Sequence, residues 1–428
     1  MIDMNDILEL VGRDGFSRRV FIERAAQLSL GVGLGGMLPT VVNAKAGEKG
    51  TGTAKSLIYI YLSGGMTHLD SFDPKDSKSV MGPSEAIPTN VDGMRLGNHF
   101  SGLAKHADKL AIINSMTSTN GAHEVAQYVN RTGYGKRATI VHPTVGPFAE
   151  ELLGKRGKIL PDSVVVGQST SNSGYLDPSR SPLPIADPAG GVPNSMIKTD
   201  GQRFERRMEM AQKLGKKFTD KYKYASAQSY VEYYNQANKL LKSDELDAFD
   251  ISKEANAEKY GSGRLGQGCL LAKRLVENGV RVVEVVAGGW DMHIGIDNAM
   301  QTQMPALDQA LTALIEDLKA NGLLDSTLVA VNTDFGRTPE INMNAGRDHY
   351  PAAYSTMMFG GGIVGGQVYG STDKQGKKVK DNPVEPPDFL ATIGYAMGID
   401  LDETIYSPSR RPFTFANEGK PVMKLLGG

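Results

Sequence analysis

The sequence predicts an α/β fold whose parallel strands deliver polar residues to one sheet edge, and three stretches carry that expectation. Leu328-Val329-Ala330-Val331 is a short apolar run that breaks at Asn332-Thr333-Asp334-Phe335-Gly336-Arg337-Thr338-Pro339. Val282-Val283-Glu284-Val285-Val286 is a second, ending in Ala287-Gly288-Gly289-Trp290-Asp291-Met292-His293. Short β-branched runs bounded by turn clusters read as buried strands. Between them Leu307, Leu311, Leu314, Ile315 and Leu318 recur at helical spacing, and Asn321-Gly322 stops that helix. Strand, helix, strand in this order is a βαβ crossover, so the two strands run parallel and their carboxyl ends open on one crevice. Asp291, His293, Asp334 and His349 then lie along it, in the pattern of a divided metal or phosphate-type site. The structural alternative has Asp334 capping its turn while Arg337, Arg347 and Asp348 form a solvated charge network.

From the amino end, Ser17-Arg18-Arg19-Val20-Phe21-Ile22 precedes a weakly hydrophobic, glycine-rich run from Ala25 to Val42 and a small-residue end, Ala44-Lys45-Ala46. That is the layout of a twin-arginine export signal with cleavage after Ala46, which places the mature protein in the periplasm or outside the cell. A Gly/Thr/Lys linker from Gly47 to Lys55 leads to the first strand, Leu57 to Leu62, which breaks at Ser63-Gly64-Gly65-Met66-Thr67-His68-Leu69-Asp70. Paired glycines after a buried strand let the backbone close on a bound group, and His68, Asp70 and Asp73 are candidate ligands or simple turn formers. Leu110 to Asn114 gives the next strand, followed by a Ser/Thr-rich turn. A helix opens at Gly121-Ala122-His123-Glu124 and closes at Thr132-Gly133. His123 at that helix start is placed to meet an anion or is a first-turn polar residue. Val164 to Val166 is a further strand.

Residues 168–201 are rich in Pro, Ser, Gly and Asp and read as a long excursion over the surface. Arg203 to Leu241 turns helical and charged with tyrosines interspersed; acids mixed among the bases favour a solvated helical insertion over a nucleic-acid surface. The amphipathic helix around Cys269 to Val276 stops at Asn278-Gly279 and feeds the Val282 strand. Beyond the Gly-Arg-Asp-His stretch lie Met357-Met358-Phe359, a hairpin-like segment from Gln367 to Lys380 and a last helix from Pro387 to Met397. The organisation expected is a signal, residues 1–46, and one α/β domain, residues 47–428, with the excursion and insertion at about 168–262.

Across 428 residues the net charge is -1 and 40% are hydrophobic, so no general electrostatic pull toward nucleic acid or membrane exists, and any anion must be held by local groups. The single cysteine, Cys269, excludes an intrachain disulfide. No stretch after the signal approaches the roughly 20 apolar residues needed to span a bilayer.

Thr-His-Leu-Asp-Ser-Phe-Asp-Pro-Lys (67–75), Gly-Gly-Trp-Asp-Met-His (288–293), Asp-Phe-Gly-Arg-Thr-Pro (334–339) and Gly-Arg-Asp-His (346–349), in this order, resemble the bacterial domain-of-unknown-function 1501 family. That family carries twin-arginine signals and is grouped with the alkaline-phosphatase and sulfatase superfamily. The resemblance implies a three-layer alkaline-phosphatase-like fold with a largely parallel central sheet. It also implies an exported metal-dependent hydrolase of phosphate- or sulfate-type esters, acting on an anionic ester or a sulfated or phosphorylated glycan. Asp291, His293 and His349 match one cation site, with Asp334 adding a ligand or orienting one, and zinc, calcium or magnesium as the metal. Ser63-Gly64 stands where a second cation needs an acid, and Phe335 follows Asp334, so one cation is expected rather than two. The nucleophile position falls on His123, as base or nucleophile, with Thr67 and Thr119 as spare hydroxyls and Arg337 and Arg347 as an anion clamp. The formylglycine sulfatase signature is absent. The lost acid and nucleophile positions equally suit a catalytically degenerate member that binds surface polysaccharide or a secreted partner protein.

Overall fold

The computed structural model describes residues 50–428 apart from 193–194, 196–200 and 222–224; the twin-arginine stretch and Ala46 lie outside the described residues. Strand β1 (Ser56–Leu62) is buried along its whole length because both of its faces are covered. Ile58, Ile60 and Leu62 point into one apolar core, and Leu57, Tyr59 and Tyr61 into another. This alternation is the two-residue period of a pleated strand, and burial of both phases turns it into a continuous apolar run.

Around β1 the main sheet adds β2 (Leu110–Met116), β3 (Ser163–Val166), β4 (Leu183–Ile185), β5 (Val282–Ala287), β6 (Thr327–Thr333), β7 (Tyr354–Phe359) and β8 (Gln367–Tyr369), in the spatial order β8-β2-β7-β6-β1-β5-β3-β4. All neighbours pair in parallel except β7, which runs antiparallel to both β2 and β6. The longer helices among the described residues are α1 (His123–Thr132), α2 (Val145–Leu153), α3 (Gly201–Lys221), α4 (Ala225–Leu241), α5 (Arg264–Glu277), α6 (Ile296–Ala320) and α7 (Pro386–Met397). Cys269, Leu271 and Leu275 of α5 and Leu307, Leu311 and Leu318 of α6 fill the first core; Phe148 of α2 and Phe389 and Ile393 of α7 fill the second. Helix, sheet, helix are therefore three layers, the α/β class expected from the strand and helix periods.

The expected βαβ unit is β5-α6-β6, with β1 inserted between its two strands. Leu62 of β1 pairs with Ala287 of β5 and Thr333 of β6, so the three strands end level. Ser63-Gly64, Gly288 to Asp291 and Asp334 consequently leave the sheet side by side. Gly64 has φ +125, and a Cβ there would run into the backbone nitrogen of Asp291; only glycine lets these two loops touch.

Of strand β7 the sequence singles out only Met357 to Phe359, without its direction, and that direction explains how a late histidine reaches this edge. Because β7 runs opposite to β6, its amino end lies at the carboxyl end of its neighbour. His349-Tyr350, just before it, pairs as a two-residue ribbon with Gly336-Arg337, just after β6.

Candidate metal centre

Three imidazoles and one carboxylate meet at the carboxyl edge of the sheet. Asp291 and His293 lie in the turn after β5, anchored by Trp290, which is fully buried. His123 is the first residue of α1, and His349 stands in the ribbon before β7. Each imidazole has its Nδ1 against an acceptor: Asp334 Oδ2 at 2.7 Å for His123, Asp348 Oδ1 at 2.9 Å for His293, and the Gly121 carbonyl at 2.7 Å for His349. A carbonyl or an ionised carboxylate can only accept, so all three Nδ1 atoms carry a proton, and Nε2 is the atom each ring turns inward as a potential ligand.

The inward atoms are crowded. His293 Nε2 lies 2.9 Å from His349 Nε2, and Asp291 Oδ1 lies 3.1 Å and 3.2 Å from the two. His123 Nε2 is 3.4 Å from Asp291 Oδ2 and has no hydrogen-bond partner among the described residues. Donor atoms of His123, Asp291 and His349 all fall within 4.8 Å of one another. Two imidazole lone pairs at hydrogen-bond distance repel unless a proton or a cation lies between them, so the donor set fits a divalent cation. Three nitrogens and one carboxylate oxygen suit zinc or a similar transition ion, whereas calcium and magnesium prefer all-oxygen cages. Partial burial raises the Asp291 carboxyl, but the Arg337 guanidinium, charged and hydrogen-bonded to it, outweighs this and holds it down at about 2. Hydrogen bonds from His293 and Asn342 likewise keep Asp348 below the usual carboxylate range. Both acids are ready as anions at neutral pH.

Several residues singled out in the sequence stand elsewhere. Asp334 is fully buried and spends its oxygens on Tyr61 (2.6 Å), the Gly64 amide (3.0 Å), Gln127 (3.2 Å) and His123, so it orients a histidine instead of facing the cluster. The expected arginine clamp is not formed. Arg337 is 0% exposed, and it donates to the carbonyls of Gly64, Gly65, Trp290 and Arg347 and to Asp291 Oδ1 at 2.5 Å. Arg347, also 0% exposed, pairs with Asp70 at 2.9 Å and donates to the carbonyls of Val80, Thr338 and Pro339. Both guanidinium groups are consumed in tying loops together. Asp70 is likewise held inside the protein by Arg347 and by the Thr67 hydroxyl at 2.7 Å. His68 is buried with Nε2 on the Gly376 carbonyl at 2.9 Å. A hydroxyl as enclosed as that of Thr67 cannot reach a substrate. Thr119 is exposed in the turn between β2 and α1.

The sequence reading passed over Gln127, Tyr61 and the Gly121 carbonyl. Gln127 donates to Ser63 Oγ at 2.9 Å as well as to Asp334. Its signal was available, since it lies four residues after His123 and so shares that face of α1. The Gly121 carbonyl has no such signal, because a backbone acceptor carries no side-chain signature.

Solved structures with similar chain paths include Ps i-CgsB (10% identity, 87% of this chain and 76% of that one, TM-score 0.45). Another is the PsFucS1 sulfatase from Pseudoalteromonas sp. (11% identity, 83% and 69%, TM-score 0.39). A third is a protein in the alkaline phosphatase superfamily from Vibrio parahaemolyticus (10% identity, 90% and 74%, TM-score 0.40). No curated protein matches the chain. Residues 54–426 match the family model described as "Protein of unknown function (DUF1501)", and the chain belongs to that family.

Proposed function

We propose that this protein is an exported, metal-dependent hydrolase of phosphate- or sulfate-type esters, with a single divalent cation held by His123, Asp291, His293 and His349. The observation that carries the reading is the set of three Nδ1-pinned imidazoles whose Nε2 atoms converge on one carboxylate. A bound cation would supply Lewis acidity to an ester oxygen or to a water. Asp334, Asp348 and the Gly121 carbonyl fix the tautomers and so keep the lone pairs aimed before anything binds. Arg337 holds Asp291 ionised and in place, and buried Trp290 keeps the turn from collapsing inward. With both arginines consumed inside the protein, affinity for an anionic ester or a sulfated or phosphorylated glycan rests on the cation, so ligand binding and metal binding should be lost together. The twin-arginine layout of the first 46 residues supports export to the periplasm or the outside of the cell.

A second reading is favoured by one observation. Four protein donors would fill all four positions of a closed, structural zinc site and leave none open to substrate. A catalytically degenerate member would use this centre to brace a surface for polysaccharide or a secreted partner protein.

The test is zinc titration of the metal-stripped full chain by calorimetry, with hydrolysis of p-nitrophenyl phosphate and p-nitrophenyl sulfate followed in parallel. His349→Ala and His293→Ala should weaken zinc binding to a similar degree, and His106→Ala should leave it unchanged. Loss of zinc binding in His293→Ala with full retention in His349→Ala would end the single-centre reading. Zinc binding without turnover of either ester would favour the degenerate member.

A further inference from the structure

A cavity of about 460 Å³ lies at the opposite end of the sheet, between the amino ends of β3 and β4 and the helical pair α3–α4. Its wall includes Ser163, the first residue of β3, and Leu183, the first of β4, whereas the imidazole cluster follows the carboxyl ends of β5 and β6. Since β3 runs parallel to β5, the length of the strands separates the two places. The interior is apolar, formed by Ile159, Leu183, Val192, Phe204, Met208 and Leu240. A volume of this size is in the range that takes a small organic ligand, roughly 300–1,000 Å³.

Two features say what chemistry fits. Asn238 lines the cavity, is only 9% exposed, and its Oδ1 has no hydrogen-bond partner among the described residues. A buried acceptor left bare is costly unless something occupies it. The second feature is charge. Two adjoining cavities share Asn238, Gln236 and Lys155 with the first and add Lys158, Lys216 and Lys239. These four lysines are exposed and take part in no ion pair among the described residues, and Glu232 is the acid beside them. The two acids of the apolar cavity are neutralised in place, Glu150 by Arg180 at 3.2 Å and Asp162 by Arg281 at 3.0 Å.

We infer that this cavity binds a single-chain amphiphile with an anionic head: the apolar wall takes the tail and the lysines at the mouth take the carboxylate or phosphate. The inference is independent of the metal centre and of any turnover there. The probes are decanoate, dodecanoate, dodecanol and dodecyltrimethylammonium, each titrated calorimetrically into the full chain below its micelle concentration. Dodecanoate should bind, and each methylene removed should weaken binding by about fourfold, so decanoate, two methylenes shorter, should bind about sixteenfold more weakly. Dodecyltrimethylammonium should not bind.

Ala237→Trp, an exposed position on the cavity wall, should abolish binding by filling the space. Lys155→Glu with Lys239→Glu should weaken dodecanoate at least tenfold while sparing dodecanol. Melting curves matching the parent establish that either variant is folded, and the second does not alter the apolar wall. Co-sedimentation with phosphatidylglycerol vesicles, lost in Ala237→Trp, would assign the amphiphile to a bilayer; binding of free dodecanoate without co-sedimentation would assign it to a soluble fatty acid. Absence of binding to both, or binding indifferent to chain length and to both variants, overturns the inference.

Discussion

Asp334→Asn separates the roles of the buried carboxylate. Asp334 is 0% exposed and accepts from Tyr61 Oη at 2.6 Å, His123 Nδ1 at 2.7 Å, the Gly64 amide at 3.0 Å and Gln127 Nε2 at 3.2 Å. Three of these donors converge on Oδ2 and only Tyr61 on Oδ1. An asparagine therefore settles with its oxygen in the Oδ2 place and its amide facing the Tyr61 hydroxyl, which rotates to accept. All four contacts survive as neutral hydrogen bonds. A bond to a charged group contributes about 1.5–3 kcal/mol against about 0.5–1.5 for a neutral one. Relief of carboxylate desolvation offsets part of the difference, so the net loss of stability should be about 2 kcal/mol. Asp334→Ala leaves the Gly64 amide, the Tyr61 hydroxyl and His123 Nδ1 without their acceptor and should cost roughly 4 kcal/mol or more. Because Asn still accepts from His123 Nδ1, zinc affinity should fall by about tenfold for Asn and nearer a hundredfold for Ala, the range seen when the partner of a ligating histidine is lost. Urea unfolding with and without zinc, together with zinc calorimetry, reads both quantities. A loss of stability with no change in zinc affinity would show that His123 is not a ligand. A loss of affinity equal to that of His349→Ala would show that Asp334 binds the cation itself.

Asp348 does the same work for His293 but is 56% exposed at its side chain, so Asp348→Ala should lower zinc affinity by about tenfold or more at a stability cost within about 0.5 kcal/mol; equal losses in stability for Asp334→Ala and Asp348→Ala would refute that contrast. Burial lowers His68 to about 4 in the folded chain, so it stays neutral there while the unfolded chain protonates below about pH 6.5. Its contribution is present above pH 6.5 and is lost as the pH falls toward 4, by about 3 kcal/mol in all. His68→Gln should flatten the fall in unfolding free energy over that window, and an unchanged slope would mean that His68 titrates normally. Arg18→Lys with Arg19→Lys should strand the protein in the cytoplasm, because the export receptor reads paired guanidinium groups; cell fractionation checks this, and undiminished export would refute the assignment of the signal.

The central strands were legible because their chemistry is local. Val282 to Val286 and Leu328 to Val331 have no polar residue but Glu284, and the helix between them shows its period outright. Strand β7 was legible only at Met357 to Phe359, for an equally physical reason. Tyr354-Ser355-Thr356-Met357-Met358-Phe359 carries hydroxyls at buried positions, and Ser355 is satisfied by Asn114 Oδ1 of β2 at 2.8 Å, a partner 241 residues away. A buried polar residue hides a strand whenever its partner lies on another element. The same blindness produced the arginine clamp. Arg337 and Arg347 look like anion binders beside Asp and His motifs, and nothing in their neighbourhoods reveals that the carbonyls of Gly64, Gly65, Trp290 and Val80 surround them.

The site itself divides along the same line. Its inward-facing donors are side chains in short motifs, and sequence order was enough to suggest that Asp291, His293 and His349 share a crevice. What sets the chemistry of the imidazoles is the atom behind each ring, and those atoms belong to three different segments: the end of β6 for Asp334, the ribbon before β7 for Asp348, and the turn before α1 for Gly121. The acceptor of His349 is a backbone carbonyl 228 residues away. Any acceptor there fixes the tautomer equally well, so substitution at Gly121 should not by itself release His349. Only a change that moves the turn before α1 would do so, and such a change would displace His123 as well. The two histidines are therefore coupled through two residues of backbone, which no comparison of their side chains would reveal.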